Sequence, residues 1–171
     1  MNRVQIVEQL PGLRRYARAL TGDAWAADDL VQDTLERACR KWLLWRGGSN
    51  LRAWLFTLMH NLYLNQRRGL VPVQALDVDA LAAIADAPDA SPETAMDLDR
   101  CLQRLPADQR AVLLLVTLED MAYADVARVL GIPEGTVMSR LSRARARMRE
   151  LMEPSAPAQP SSTPTALRRM K

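Results

Sequence analysis

The sequence predicts an all-α protein of two small helical domains joined by a flexible acidic linker, and three observations lead there. Apolar residues recur at three- and four-residue spacing with little period-two alternation, the signature of amphipathic helices. Aromatics are only 5% of the 171 residues and glycines number seven, which disfavours a β-rich sandwich, while 49% hydrophobic and 25% charged residues suit a folded chain. Charge is also segregated. Residues 1–69 carry eleven Lys/Arg against six Asp/Glu, residues 70–99 carry none against seven, and residues 100–150 carry nine against six. Composition therefore divides the chain into a first basic domain (1–69), an acidic linker (70–95), a second basic domain (96–153) and a tail (154–171).

The first helix is expected over about residues 3–20, with Val4, Val7, Leu10, Leu13, Ala17 and Leu20 on one stripe, Pro11 a candidate break and Thr21-Gly22 the exit. Asp23 is a plausible N-cap for the second, whose inward stripe is Ala27, Leu30, Val31, Thr34, Ala38 and Trp42. Its other side carries Asp29, Gln32, Asp33 and Glu36, an acidic ridge on a basic domain. The plain reading of the ridge is a solvated face braced by Asp33–Arg37 and Glu36–Arg40 pairs, and composition alone favours it. A partner surface is the sharper alternative.

The loop Arg46-Gly47-Gly48-Ser49-Asn50 interrupts the pattern and lacks the spacing of a phosphate cradle. A third helix follows, from near Leu51 to about Arg68. Leu55, Leu58, Met59, Leu62 and Gln66 fall on one side, and Thr57, His60, Asn61, Leu64, Arg67 and Arg68 fall opposite. That second face joins cations with amide and ring side chains, as a nucleic-acid surface does. Taken alone, His60 reads as a surface residue and Trp54 as core.

Next, the linker mixes Pro72, Pro88 and Pro92 with small residues and repeated aspartates, the composition of a flexible or partly helical connector. Beyond it, AYADVARVLGIPEGTVMSRLSRARARMRELM has helix-turn-helix spacing. Val126, Ala127 and Leu130 pack a short helix, Gly131 permits a left-handed turn, Ile132 plugs the corner and Pro133 opens the second helix. There Val137, Leu141, Ala144, Met148 and Leu151 form the core stripe. Arg140, Arg143 and Arg147 form an exposed line that Arg145 and Arg149 widen, and residues 135–149 hold five arginines with no acid. Such a helix suits the DNA major groove better than a solvated face. The tail PSAPAQPSSTP, with four prolines and three serines, is expected to be disordered.

Enzymatic chemistry is disfavoured. There is one histidine, no phosphate-binding glycine loop, no GxSxG and no HExxH, and the acids lie mostly in the linker and on helix surfaces. No cofactor is implied. Cys39 and Cys101 lack the paired spacing of a zinc site, so no metal is expected and both read as ordinary buried thiols. The absence of a membrane-length apolar run and of a cleavable leader points to a cytoplasmic protein.

Three segments in order, LRRYARALTGDAWAADDLVQDTLERACRKW, LRAWLFTLMHNLYLNQRR and CLQRLPADQRAVLLLVTLEDMAYADVARVLGIPEGTVMSRLSRARARMRELM, resemble the bacterial sigma factors of the extracytoplasmic-function group. The likeness covers nearly all of residues 5–152. It implies a region 2 helical bundle and a region 4 helix-turn-helix, and a protein that docks on core RNA polymerase, reads the two promoter elements and opens the duplex at the nearer one. On that resemblance Asp29, Gln32, Asp33 and Glu36 face the polymerase clamp. Trp54, Thr57, His60 and Asn61 lie at the minus 10 element with the Arg46–Asn50 loop, on the face that continues to Arg67 and Arg68. Thr136, Ser139, Arg140, Arg143 and Arg147 meet the minus 35 element, and an anti-sigma partner is implied. His60 stands where the family more often has Arg, and Asn65 where it often has Asp. The alternatives are a stand-alone helix-turn-helix regulator that binds an operator without polymerase, a nucleic-acid-processing enzyme, and an adaptor using the acidic ridge alone. The last leaves the arginine line without a role.

Overall fold

Asp23 has extended backbone (φ −132°, ψ 132°) and its carboxylate accepts from the Ala26 N–H at 2.7 Å, so the second helix starts where the sequence places it. The structure, a computed structural model, describes residues 3–42, 50–69 and 92–153. The Arg46–Asn50 loop except Asn50, most of the acidic linker and the Pro/Ser-rich tail lie outside those residues. Among the described residues every element is helical: α1 (Arg3–Thr21), α2 (Ala24–Lys41), α3 (Leu51–Gly69), α4 (Pro92–Gln103), α5 (Ala107–Thr117), α6 (Tyr123–Leu130) and α7 (Glu134–Met152). The α4 helix opens at Pro92, whose missing N–H is no loss in a first turn.

In the first body α1, α2 and α3 pack around Leu13, Tyr16, Leu20, Leu30, Leu55, Phe56 and Met59, all fully buried. Tyr16 and Phe56 meet edge to face, with centroids 5.3 Å apart. Pro11 does not break α1, which runs unbroken to Thr21. The α1 stripe is rotated from the expected one. Ile6 is buried and Val7 is 59% exposed, because Ile6, Leu13, Tyr16 and Leu20 share the inward side. The second body is built on α5, where five consecutive residues from Ala111 to Leu115 are buried, as in a helix surrounded by others. Val126, Val129, Val137, Leu141, Ala144 and Met148 pack around it.

The two bodies touch each other. The α1 helix packs on α4 and α5, α3 packs on α6, and the apolar core runs from one body into the other. Polar contacts reinforce the join. Arg110 Nη1 donates to the Leu20 carbonyl at 2.8 Å and Gln103 Nε2 to the Ala19 carbonyl at 3.0 Å. A buried cation and an amide of the second body thus cap the C-terminal turn of α1, where carbonyls lack helical partners. Gly22 (φ 72°) turns the chain there, and a Cβ on it would lie 2.5 Å from the Gln103 side chain.

Candidate nucleic-acid interface

The acidic ridge is present on α2, and one of its members does something the sequence did not indicate. Asp29, Gln32 and Glu36 are exposed, and Glu36 pairs with Arg40 at 3.4 Å as the spacing predicts. Asp33 does not pair with Arg37. It is half-buried and accepts from Gln66 Nε2 of α3 at 3.2 Å, so it joins two helices. Cys39 is exposed, against the expectation of a buried thiol, because Ala38 occupies the inward position of that turn. Cys101 is buried, its Sγ 3.5 Å from the Leu151 carbonyl.

The α3 helix starts at Asn50, whose side-chain oxygen accepts from the Ala53 N–H at 3.1 Å. Its two sides are not the core and solvent faces that periodicity suggested. Ala53, Phe56, His60 and Tyr63 are buried along with Leu55, Leu58 and Met59, because α2 lies on one side and α6 on another. His60 is only 7% exposed and not a surface residue; its Nδ1 is 3.5 Å from the Tyr16 hydroxyl and its ring lies tilted against Tyr63. Burial first, and then the nearby positive charge of Arg140, push its pKa down to about 4. Burial also raises the Tyr16 phenol far above its ordinary value, so the hydroxyl keeps its proton. Trp54 is half-buried and meets Trp42 edge to face at 6.3 Å. Thr57 is half-buried and donates to the Ala53 carbonyl at 2.8 Å. Asn61, Arg67 and Arg68 are exposed, with the Arg67 guanidinium 5.8 Å from the Tyr63 ring centre.

The helix-turn-helix has the expected geometry. Gly131 is left-handed (φ 64°, ψ 37°), its N–H bonds the Ala127 carbonyl, and Pro133 holds the extended position ahead of α7. Val126 and Val129 anchor the short α6; Val129 was not among the residues the spacing selected. Of the α7 cations, Arg143, Arg145, Arg147 and Arg149 are exposed. Arg147 pairs with Glu150 at 3.5 Å, and Arg140 is half-buried and pairs with Asp108 of α5 at 3.3 Å. Thr136 and Ser139 are half-buried, and the Ser139 hydroxyl donates to the Thr136 carbonyl at 3.1 Å. Arg140 acts electrostatically on His60, so a residue expected at one promoter element feels the charge of a residue expected at the other.

Sequence reasoning missed the group at the centre of that join. Glu119, in the turn between α5 and α6, is 1% exposed and carries contacts from both α1 and α3. Arg52 Nη2 donates to its Oε2 at 2.7 Å and to its backbone carbonyl at 2.6 Å, and Arg15 donates to its Oε1 at 3.2 Å. Its partners are 104 and 67 residues away, and no local pattern reports such a pairing. Among the described residues no group of three His, Cys, Asp or Glu is placed to hold a metal, and no helix is long and apolar enough to cross a membrane.

The chain matches the family model for the Sigma2 domain of PhyR over residues 6–60 and that for sigma-70 region 4 over residues 95–148. A region 2 bundle followed by a region 4 helix-turn-helix defines a sigma factor of RNA polymerase. The chain is 37% identical over 152 residues to the ECF RNA polymerase sigma factor EcfG of Rhodopseudomonas palustris (strain TIE-1), covering 88% of this chain and 84% of that one. It is 36% identical over 140 residues to the ECF sigma factor SigM of Mycobacterium tuberculosis (strain ATCC 25618 / H37Rv), covering 82% and 71%. The sigma factor RpoE of Bartonella quintana, solved in complex with the anti-sigma factor NepR, is similar with a TM-score of 0.76 at 32% identity, over 90% of this chain and 98% of that one. The protein belongs to the ECF sigma factors: it binds core RNA polymerase and directs promoter recognition and transcription initiation.

Proposed function

We propose that the work of initiation is divided among three surfaces of this chain. Asp29, Gln32 and Glu36 dock on a basic face of the polymerase clamp, with Asp33 fixing α2 against α3 at that place. Thr57, His60, Asn61, Arg67 and Arg68, backed by Trp54, hold the opened minus 10 element. Thr136, Ser139, Arg140, Arg143 and Arg147 read the minus 35 element in its major groove. The observation that carries the division is the opposite charge of two exposed surfaces on separate bodies, the acidic side of α2 and the arginine line of α7. Acidic side chains suit a basic protein partner and arginines suit phosphates and base edges. The chain acts by binding rather than by catalysis, in the cytoplasm, and an anti-sigma factor of the kind seen with the Bartonella relative restrains it.

Glu36→Ala and Asn61→Ala test the division. Both residues are exposed, so neither substitution empties a core, whereas Asp33→Ala also removes the acceptor of Gln66. Glu36→Ala should lose in competition against another sigma factor for core polymerase, yet open promoters normally once polymerase is saturated. Asn61→Ala should bind polymerase normally and open promoters poorly, with rescue on a pre-opened bubble. The same defect in both variants would refute the division.

A further inference from the structure

The Glu119 carboxylate is held from two sides by cations of the other body, and the fold makes room for it. Arg15 of α1 and Arg52 of α3 both reach it, and its side chain has no exposure to solvent. On the third side stands Gly12, where a Cβ would lie 2.6 Å from Glu119 Oε2. Gly12 is in the middle of α1, where alanine suits a helix better. Glycine there serves the approach of the carboxylate and not the helix. A second fitted contact, Gln103 and Arg110 on the last turn of α1, lies at the other end of the same helix beside Gly22. The join is therefore a shaped interface with charge complementarity, and not a casual collision of two bodies.

What this interface covers matters for the function proposed above, on which the inference rests. His60 belongs to the minus 10 set, yet α6 of the helix-turn-helix packs over α3 here, and the charge of Arg140, from the minus 35 set, reaches His60. Two promoter elements lie apart along the duplex, and one turn of DNA already spans about 34 Å. A helix-turn-helix packed on α3 cannot serve its own element while α3 serves the other. We propose that the promoter-facing side of α3 has two alternative occupants, the second body of this same chain and promoter DNA, and that the Arg15–Glu119–Arg52 latch sets the balance between them. In the closed state the latch holds the second body over His60. The open state frees α3 and lets the helix-turn-helix reach its own element. Apparent DNA affinity then falls in proportion to the open fraction.

The test uses the full chain with spin labels on exposed Cys39 and on a cysteine introduced as Ser142→Cys, an exposed α7 position outside the proposed DNA set, with buried Cys101 changed to Ala. Pulsed electron resonance should give one narrow distance in the unaltered latch. Gly12→Ala drives the carboxylate from its seat while favouring the helix, and Glu119→Gln removes its charge at nearly constant shape, so the two are independent; dichroism melting checks that each folds. Both should give a longer, broader distance distribution and tighten binding of the free chain to promoter duplex by about tenfold or more. An unchanged distance in both variants overturns the latch. A longer distance with unchanged DNA affinity and normal initiation with core polymerase overturns the occlusion while leaving the sigma function standing. Open variants that neither bind promoter nor initiate with polymerase would instead refute the assignment of α3 to DNA, and the proposal with it.

Discussion

Acid should destabilise this protein through His60 in a window that can be calculated. The imidazole is 7% exposed, lies 3.5 Å from the Tyr16 hydroxyl, has the Tyr63 ring beside it and feels the positive Arg140. Its pKa falls from 6.5 to about 4, chiefly because burial disfavours the charged ring. Between those values the unfolded chain binds a proton that the folded chain refuses. Stability from this source is therefore complete above pH 6.5 and is lost as pH falls toward 4. The loss works out to about 2 kcal/mol at pH 5 and about 3 kcal/mol at pH 4. Carboxylates also titrate there, so the quantity to measure is a difference. Urea unfolding of the native sequence and of His60→Gln at pH 7, 6 and 5 should give curves that converge or cross as pH falls, by the amounts stated. Because the chain has a single histidine, its proton resonance can be followed without ambiguity and should titrate near 4. Parallel stability profiles, or a resonance that titrates near 6.5 in the folded chain, would refute the reasoning.

Other expectations follow from single contacts. Arg110→Met should cost about 3 kcal/mol in a thermal melt, because the Leu20, Gln103 and Leu105 carbonyls lose a buried charged donor. Gly131→Ala should cost about 1 kcal/mol and Gly131→Asn less: nothing crowds a Cβ at that site, so the cost is that of a left-handed backbone alone. Arg143→Ala should weaken minus 35 discrimination by about 1 to 3 kcal/mol, while Arg149→Ala, about two turns further along α7, should lower the salt slope of DNA binding by roughly one with little change in sequence preference. Titrating salt against binding for both variants distinguishes the two effects.

The parts of the fold that were legible in the sequence are those where one neighbour decides a helix face. The α2 helix has a capping aspartate and a single inward stripe, and Ala27, Leu30, Val31, Thr34 and Ala38 are buried as that stripe requires. The α7 helix likewise buries Val137, Leu141, Ala144 and Met148. Periodicity fails for α3 because two partners cover it from different directions, which puts His60 inside on a face that looks polar in the sequence. Spacing also assigned Asp33 to Arg37, one turn away, when its partner is Gln66 on another helix. Residues three or four apart can be seen to be neighbours, whereas Glu119 and Arg15 meet only through the packing of whole helices. The exposed arginine line of α7 was readable from an excess of arginine over acid, though the Asp108 partner of Arg140 was not.

The capping of α1 by Arg110 and Gln103 ties the melting of one body to the melting of the other. While the bodies are joined, the last carbonyls of α1 are satisfied by side chains that α4 and α5 hold in place, so fraying of that turn requires disruption of the second body as well. Calorimetry of the joined chain should therefore show one cooperative transition, with an enthalpy matching its van't Hoff value. Once the bodies separate, those carbonyls turn to water, and each body unfolds on its own schedule. A bound partner that grips both bodies raises the temperature of a single peak, whereas one that holds them apart splits the trace in two.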